Sequence, residues 1–217
     1  MTLDIAKVNA DLNTKDPLDV VRWAVEYGGD DVICSTNFRP QEAVILHMVT
    51  QVKPDIPILW ADGGYALPET YRFAEKLITE MNLNMRIFNP LLTSARREAI
   101  HGPVPGIEDE AAHDLFTQQV KIEPFKRGLA ELQPKVWLTA IRADQTPHRA
   151  TLDIVSGDPD DVLKVSPVFH FDDAAMDAYL AAHNLPDETT YFDPTKVESE
   201  RECGLHVVDG KLVRANA

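Results

Sequence analysis

The chain has 217 residues, of which 44% are hydrophobic and 26% charged, enough to bury one substantial core within the usual size of a single domain. Its formal charge of −14 repels nucleic acid and anionic membranes, so any anionic ligand needs a local cationic pocket. Two cysteines, Cys34 and Cys203, cannot build a disulfide framework, and they lack the paired spacing of a zinc site or an iron–sulfur cluster.

Residues 3 to 28 place apolar side chains at Leu3, Ile5, Val8 and Leu12, then at Leu18, Val21, Trp23 and Ala24. This spacing predicts two short helices, with Pro17 opening the second. The β-branched run DDVICST, which follows GGD, predicts a central parallel strand, and PQEAVILHMVTQV has helical period after its proline. The pattern recurs as strand IPILWAD, loop GGYALP and helix ETYRFAEKLITEM, then strand NMRIFNP and a polar stretch containing HGPVPG. VKIEPFKRGLAEL reads as a helix started or interrupted at Pro124, KVWLTAI as a strand and VLKVSPV as a last short strand. FDDAAMDAYLAAHNLP predicts a helix capped by Asp172 or Asp173. The tail beyond it is polar and irregular, either a frayed terminus or a mobile arm that carries function.

Strands alternating with helices predict an α/β fold, a doubly wound and mostly parallel sheet flanked by helices, with a flexible C-terminal tail. The organisation expected is N-terminal helices over 1–28, a nucleotide-binding α/β unit over 29–185 and a tail over 186–217, all one structural domain. Ligands of such sheets bind at the C-terminal strand edge, so the loops beginning at Ser35, Asp62, Asn89 and Arg142 should converge on one crevice. The N-terminus has no basic start, apolar run and cleavage site of a secretory signal, and no apolar run approaches the roughly 18 residues of a membrane span. The expectation is a cytoplasmic protein that engages neither membrane nor nucleic acid.

Four segments carry candidate chemistry. In STNFRPQEA, Ser35 and Thr36 end a strand just before a helix, where amides and hydroxyls either form an anion nest or simply cap a turn. In WADGGYALPET, Asp62 leaves a strand, Gly63 and Gly64 let the backbone approach a ligand, and Tyr65 follows. That carboxylate and aromatic either bracket a purine or ribose or belong to an ordinary glycine turn. In WLTAIRADQTPHRATL, Arg142, Gln145, His148 and Arg149 lie just past a strand; two guanidiniums there can chelate phosphate or sulfonate oxygens, with Lys164 adding a point charge. The alternative is surface pairing with Asp144 or Asp153. In ESERECGLH, Cys203 sits in a polar segment, where Arg201 and His206 favour its thiolate and Glu200 and Glu202 oppose it. Cys34, in an apolar strand, reads as a structural thiol.

Together these segments resemble the phosphoadenylyl-sulfate (PAPS) reductase family. PDIPILWADGGYALPETYRFAEKL resembles that family's strand and loop around DTGY and PETY, AIRADQTPHRATL is similar to its GxRxxQxxxR segment, and ERECGLH matches its catalytic-cysteine motif in full. The resemblance implies an adenine nucleotide alpha hydrolase-like fold and reduction of 3′-phosphoadenylyl sulfate in assimilatory sulfate metabolism. It assigns catalysis to Cys203, which would attack the sulfonucleotide and carry a sulfonate. It assigns substrate binding to Ser35, Thr36, Asp62, Gly63, Gly64, Tyr65, Arg142, Gln145, Arg149, Lys164, Arg201 and His206.

With Cys34 expected in a strand and no third cysteine, release of sulfite needs an external thiol, and reduced thioredoxin or glutaredoxin is the implied partner. The branch of the family that reduces adenylyl sulfate carries a four-cysteine iron–sulfur cluster. The matching segment here, LFTQQVKIEP, has no cysteine, which favours the cluster-free branch and implies no cofactor. A homodimer is implied as well, with the apolar N-terminal helices as a candidate surface. The chain departs from the family at Arg39 and Ala140, where glycine is usual, and at Gly63, where threonine is usual; the stretch before ESERECGLH is also short. Alternative readings are a cluster-free adenylyl-sulfate reductase and a noncatalytic nucleotide-binding relative. An adenylylating hydrolase would need SGGxDS, which STNFRPQEA does not supply.

Overall fold

The structure, a computed structural model, describes residues 3–106, 108–159 and 161–196, together with the backbone of 206–208 and 211–213. Helices α1 (Ile5–Leu12) and α2 (Pro17–Gly28) lead into strand β1 (Val32–Ser35). Helix α3 (Glu42–Val52), strand β2 (Pro57–Ala61), helix α4 (Pro68–Glu80) and strand β3 (Asn84–Phe88) follow. After β3 come α5 (Ser94–His101), α6 (Glu110–Thr117), a π-helical turn (Gln118–Ile122) and α7 (Glu123–Leu132). Strands β4 (Val136–Leu138), β5 (Val155–Gly157) and β6 (Leu163–Val165) precede α8 (Asp173–Ala182), and β7 (His206–Val208) pairs with β8 (Lys211–Val213) in a separate antiparallel hairpin.

The main sheet has the order β3-β2-β1-β4-β6-β5, parallel throughout except for β5. Chain progression reverses at β1: the run from β1 through β2 to β3 goes one way, and the chain then returns to lay β4 on the other side of β1. The loops leaving β1 and β4 therefore diverge over opposite faces and leave a crevice between them, the position where such sheets bind ligands.

Local chemistry explains the elements that hold this crevice. In α3 nearly every side chain from Ala43 to Val49 is buried, because the helix lies under both α2 and α8. Helix α2 turns Val20, Val21, Ala24 and Gly28 inward. A Cβ at Gly28 would come within 3.1 Å of Val136 Cγ2 and Val32 Cβ, so glycine there permits α2 to lie close to β1 and β4. Helix α4 starts at Pro68 and buries Thr70, Phe73, Ala74 and Leu77, a single helical stripe. On the opposite face α7 covers Ile33, Leu59, Phe88 and Trp137 with its own Phe125. The edge strand β5 is not left bare. Asn9 of α1 donates to Val155 O at 2.9 Å and accepts from Val155 N at 2.8 Å, pairing as a neighbouring strand would.

Several sequence expectations change. Two helices occupy the stretch read as polar. Thr93 caps α5 through the Arg96 amide, and the buried Arg97 stacks on Phe116 of α6 at 4.6 Å. Strand β5 was not expected, and VLKVSPV is not the last strand, since β7 and β8 lie in the segment read as irregular. Asp172, not Asp173, caps α8, accepting from Ala175 N at 2.8 Å. Of the N-terminal helices, Leu12, Val20, Val21 and Ala24 are buried in the protomer's own core. Among the described residues no helix is long and apolar enough to cross a membrane.

Candidate nucleotide site

The loop after β2 is rigidly built. Asp62 Oδ1 accepts from Gly64 N at 2.9 Å and from the Tyr71 hydroxyl at 2.8 Å, while Asn89 Nδ2 reaches Asp62 O and Oδ2 at 3.3 Å. Burial and the Asp62 carboxylate push the Tyr71 hydroxyl far above its ordinary range, so it stays a donor. Gly64 has φ of +78°, and a Cβ at Gly63 would meet Val120 O of the π-helical turn at 3.0 Å. Both glycines thus answer a backbone demand. Tyr65 packs edge-on against Phe116, centroids 5.3 Å apart.

Asp62, Gly63 and Tyr65 line a pocket of about 70 Å³. Its further wall is Lys121, and residues Tyr191 to Thr195 form its roof. That roof is fastened by polar contacts. Lys121 Nζ donates to Asp193 Oδ2 at 2.5 Å and Thr195 Oγ1 at 3.0 Å, and His113 Nε2 meets Pro194 O at 3.1 Å. Burial alone would raise the Asp193 carboxyl, but the charge and hydrogen bond of Lys121, with hydrogen bonds from the Thr195 hydroxyl and amide, hold it below the ordinary carboxylate range. Sequence reading missed Lys121. Its signal was a lysine inside an otherwise helical stretch, and only the π-helical turn brings it to the β2 loop.

The second cluster follows β4. The Arg142 side chain is 8% exposed; Nη2 donates to Asp173 Oδ1 at 2.6 Å and Nε lies 3.5 Å from Asp144 Oδ1. Its Nη1 is buried with no hydrogen-bond partner among the described residues. Gln145 Oε1 accepts from Arg142 N at 3.3 Å and also from Arg149 Nη1, so the three residues form one unit. The Arg142 hydrogen bond and charge draw the Asp173 carboxyl down from its usual range.

Other site residues are placed differently. Ser35 Oγ accepts from Trp137 Nε1 at 2.7 Å, and Thr36 Oγ1 donates to Glu42 Oε2 at 2.9 Å, so both hydroxyls of the β1 loop have partners inside the protein. Lys164 lies in the middle of β6, buried, with Nζ 4.6 Å from the Trp137 ring centroid. Cys34 is fully buried, and burial together with the Glu42 carboxylate pushes its thiol far above the ordinary range. Cys203 and Arg201 lie outside the described residues, and His206 opens the backbone of β7. Among the described residues no three His, Cys, Asp or Glu side chains are grouped to hold a metal.

The phosphoadenosine phosphosulfate reductase domain model matches residues 31–194. A phosphoadenosine 5′-phosphosulfate reductase of a Synechococcus species is 36% identical over 182 residues, covering 84% of this chain and 78% of that protein. A solved structure of phosphoadenylyl-sulfate reductase from Candida auris, a phosphate complex, superposes with a TM-score of 0.74 over 86% of this chain and 90% of that one, at 24% identity. The fold also extends to the Candida glabrata FMN adenylyltransferase bound to FMN and an ATP analogue, with a TM-score of 0.54 at 13% identity, covering 78% of this chain and 57% of that one. With three quarters of its length inside the family model, the chain belongs to the phosphoadenosine phosphosulfate reductase family.

Proposed function

We propose that the chain reduces 3′-phosphoadenylyl sulfate to sulfite and adenosine 3′,5′-bisphosphate in sulfate assimilation, with Cys203 as the nucleophile. The observation that carries this reading is family membership over residues 31–194 in a chain that also contains the full ERECGLH motif. The built clusters around Lys121 and Arg142 support it, since a −14 chain needs local cations to hold a polyanion.

In the first step the Cys203 thiolate attacks the sulfonate sulfur. A sulfur–sulfur bond forms, the sulfur–oxygen bond to phosphate breaks, and adenosine 3′,5′-bisphosphate leaves. Asp62, Gly63, Gly64 and Tyr65 line the nucleotide site in this reading, while Arg142, Arg149 and Lys164 neutralise phosphate and sulfonate charge and Gln145 joins the two arginines at the substrate. Ser35 and Thr36 shape the β1 side of the crevice, and Arg201 and His206 flank the thiol. In the second step a thiolate of reduced thioredoxin or glutaredoxin attacks Cys203 Sγ and releases sulfite; its second thiol then resolves the mixed disulfide. The two electrons taken up by sulfur leave the partner as a disulfide. Cys34 cannot serve, because it is buried in β1 with its proton held. We further propose a cytoplasmic homodimer that uses no bound cofactor; light scattering reads its mass.

Mass spectrometry of the protein mixed with the sulfonucleotide and no reductant tests the central step. The expected result is one added sulfonate per chain, roughly 80 Da, on the peptide holding Cys203. Unmodified protein after prolonged incubation would overturn the mechanism. Faster turnover of adenylyl sulfate than of its 3′-phosphorylated form would favour the alternative substrate.

A further inference from the structure

Arg39 stands in the loop between β1 and α3, on the lip of the crevice formed where the sheet order reverses. Its guanidinium is held on two sides. Nε donates to Glu42 Oε1 at 2.9 Å, and Nη2 crosses the crevice to donate to Ala140 O at 3.2 Å. The remaining nitrogen, Nη1, makes no hydrogen bond among the described residues, and the side chain is 23% exposed. Glu42 is nearly buried, and its second oxygen accepts from Thr36 Oγ1 at 2.9 Å. The backbone is bent to bring this about: Phe38 and Gln41, neither of them glycine, have φ of +52° and +66°.

Two residues beyond Ala140 is Arg142, whose buried Nη1 has no partner among the described residues. The lips are also joined through α8, since Asp173 binds Arg142 and Asp177, one turn on, accepts from Gln41 Nε2 at 2.9 Å. Two guanidiniums thus lie by the same stretch after β4, Arg39 bonded to Ala140 O and Arg142 two residues on, each retained by a carboxylate of the chain itself and each with a nitrogen that bonds nothing among the described residues. Buried Arg nitrogens without partners are rare, and planar forks of this kind suit phosphate oxygens.

We propose that Arg39 is a substrate-binding and specificity-determining residue that, with Arg142, takes a phosphate group of the nucleotide, and that Glu42 sets its affinity by opposing the same anion. This rests on the reading of the chain as a sulfonucleotide reductase. Glu42 balances the charge of Arg39 and holds the fork in place. Its charge then weakens the hold on any incoming phosphate.

Calorimetric titration with adenosine, adenosine 5′-monophosphate and adenosine 3′,5′-bisphosphate provides the test. Arg39→Ala should weaken bisphosphate binding on the order of tenfold, the value of a charge-assisted contact, and leave adenosine binding unchanged. Arg39→Lys should recover part of the loss. Glu42→Gln keeps the shape and removes the charge, and should tighten bisphosphate binding several-fold. A loss shared by the monophosphate assigns Arg39 to the 5′ side, and a loss confined to the bisphosphate assigns it to the 3′-phosphate. Equal weakening of adenosine by Arg39→Ala, or weakening of the bisphosphate by Glu42→Gln, would make the pair a structural clasp and overturn the proposal. If the wild type binds bisphosphate and Arg39→Ala binds it equally well, the proposal falls while the reductase reading stands. If the opposite-signed shifts appear but no sulfite is released from the sulfonucleotide with reduced thioredoxin, the reductase reading falls instead.

Discussion

Lys121 Nζ lies 2.5 Å from Asp193 Oδ2, so a cation on the π-helical turn grips the stretch of chain that runs on toward Cys203. Both side chains are largely buried, which makes the pair costly to break from one side, because the surviving charge loses its partner. Asp193→Asn should ease opening of the Tyr191–Thr195 segment by about 2 kcal/mol, roughly a thirtyfold faster amide exchange at Thr195. Unchanged exchange would show that the pair does not fasten the segment.

The same carboxyl gives a pH dependence with a definite sign. Its folded-state value lies below the ordinary one, so its stabilisation is complete above about pH 4 and is lost as pH falls through the folded value. Denaturant midpoints measured from pH 6 downward should converge for wild type and Asp193→Asn at the acid end. A constant gap across that range would contradict the assignment.

The two thiols should differ sharply toward alkylating agents. Cys34 is fully buried with its proton tightly held, so iodoacetamide at pH 8 should label the native chain once, on the peptide holding Cys203. Cys34 should react only after unfolding. Labelling of Cys34 in the native protein, read by peptide mass mapping, would contradict the packing around β1.

Gly128 tests the face covered by α7. A Cβ there would come within 2.8 Å of Leu59 Cδ1 and 2.9 Å of the Phe88 ring, which is fixed in the core. Gly128→Ala gains helix propensity of up to about 1 kcal/mol but overpacks this contact, so a net loss of about 1–2 kcal/mol is expected in denaturant unfolding. Stabilisation would mean that α7 can move outward freely.

Arg142 should matter to ligand more than to folding. Its main partner, Asp173, is 75% exposed and is readily solvated when left alone. Arg142→Ala should therefore weaken adenosine 3′,5′-bisphosphate binding about 10- to 100-fold with little change in stability, and Arg142→Lys should restore only part, because the fork is lost. Undiminished affinity would remove Arg142 from the site.

Most of the sheet was legible because its signals are local. VICS and PILWA are short apolar runs bounded by turns, α3 begins two residues after Pro40 and α4 at Pro68, so local pattern located them. Helix α5 was invisible for the converse reason: it is polar on nearly every side and buries only Arg97, whose partner Phe116 lies on α6. Strand β5 has three residues and gains its neighbour from Asn9, far off in sequence. Within the site, the residues of the β2 loop and the Arg142 unit were named from their strand-end positions. The contacts of Arg39 and Lys121 were not, because Ala140 and Asp193 reach them only through the folded topology.

The fastening at Asp193 has a geometric corollary. Cys203 comes ten residues later, and ten extended residues span at most about 35 Å, so the sulfur is leashed to the rim of the pocket whatever course the chain takes. A leash of that length gives a reactive group a local concentration in the millimolar range, far above that of any dissolved thiol partner at ordinary abundance. In the proposed mechanism, attack on a bound nucleotide would then follow first-order kinetics, and only the later encounter with a separate reductant would scale with how much of that reductant is present.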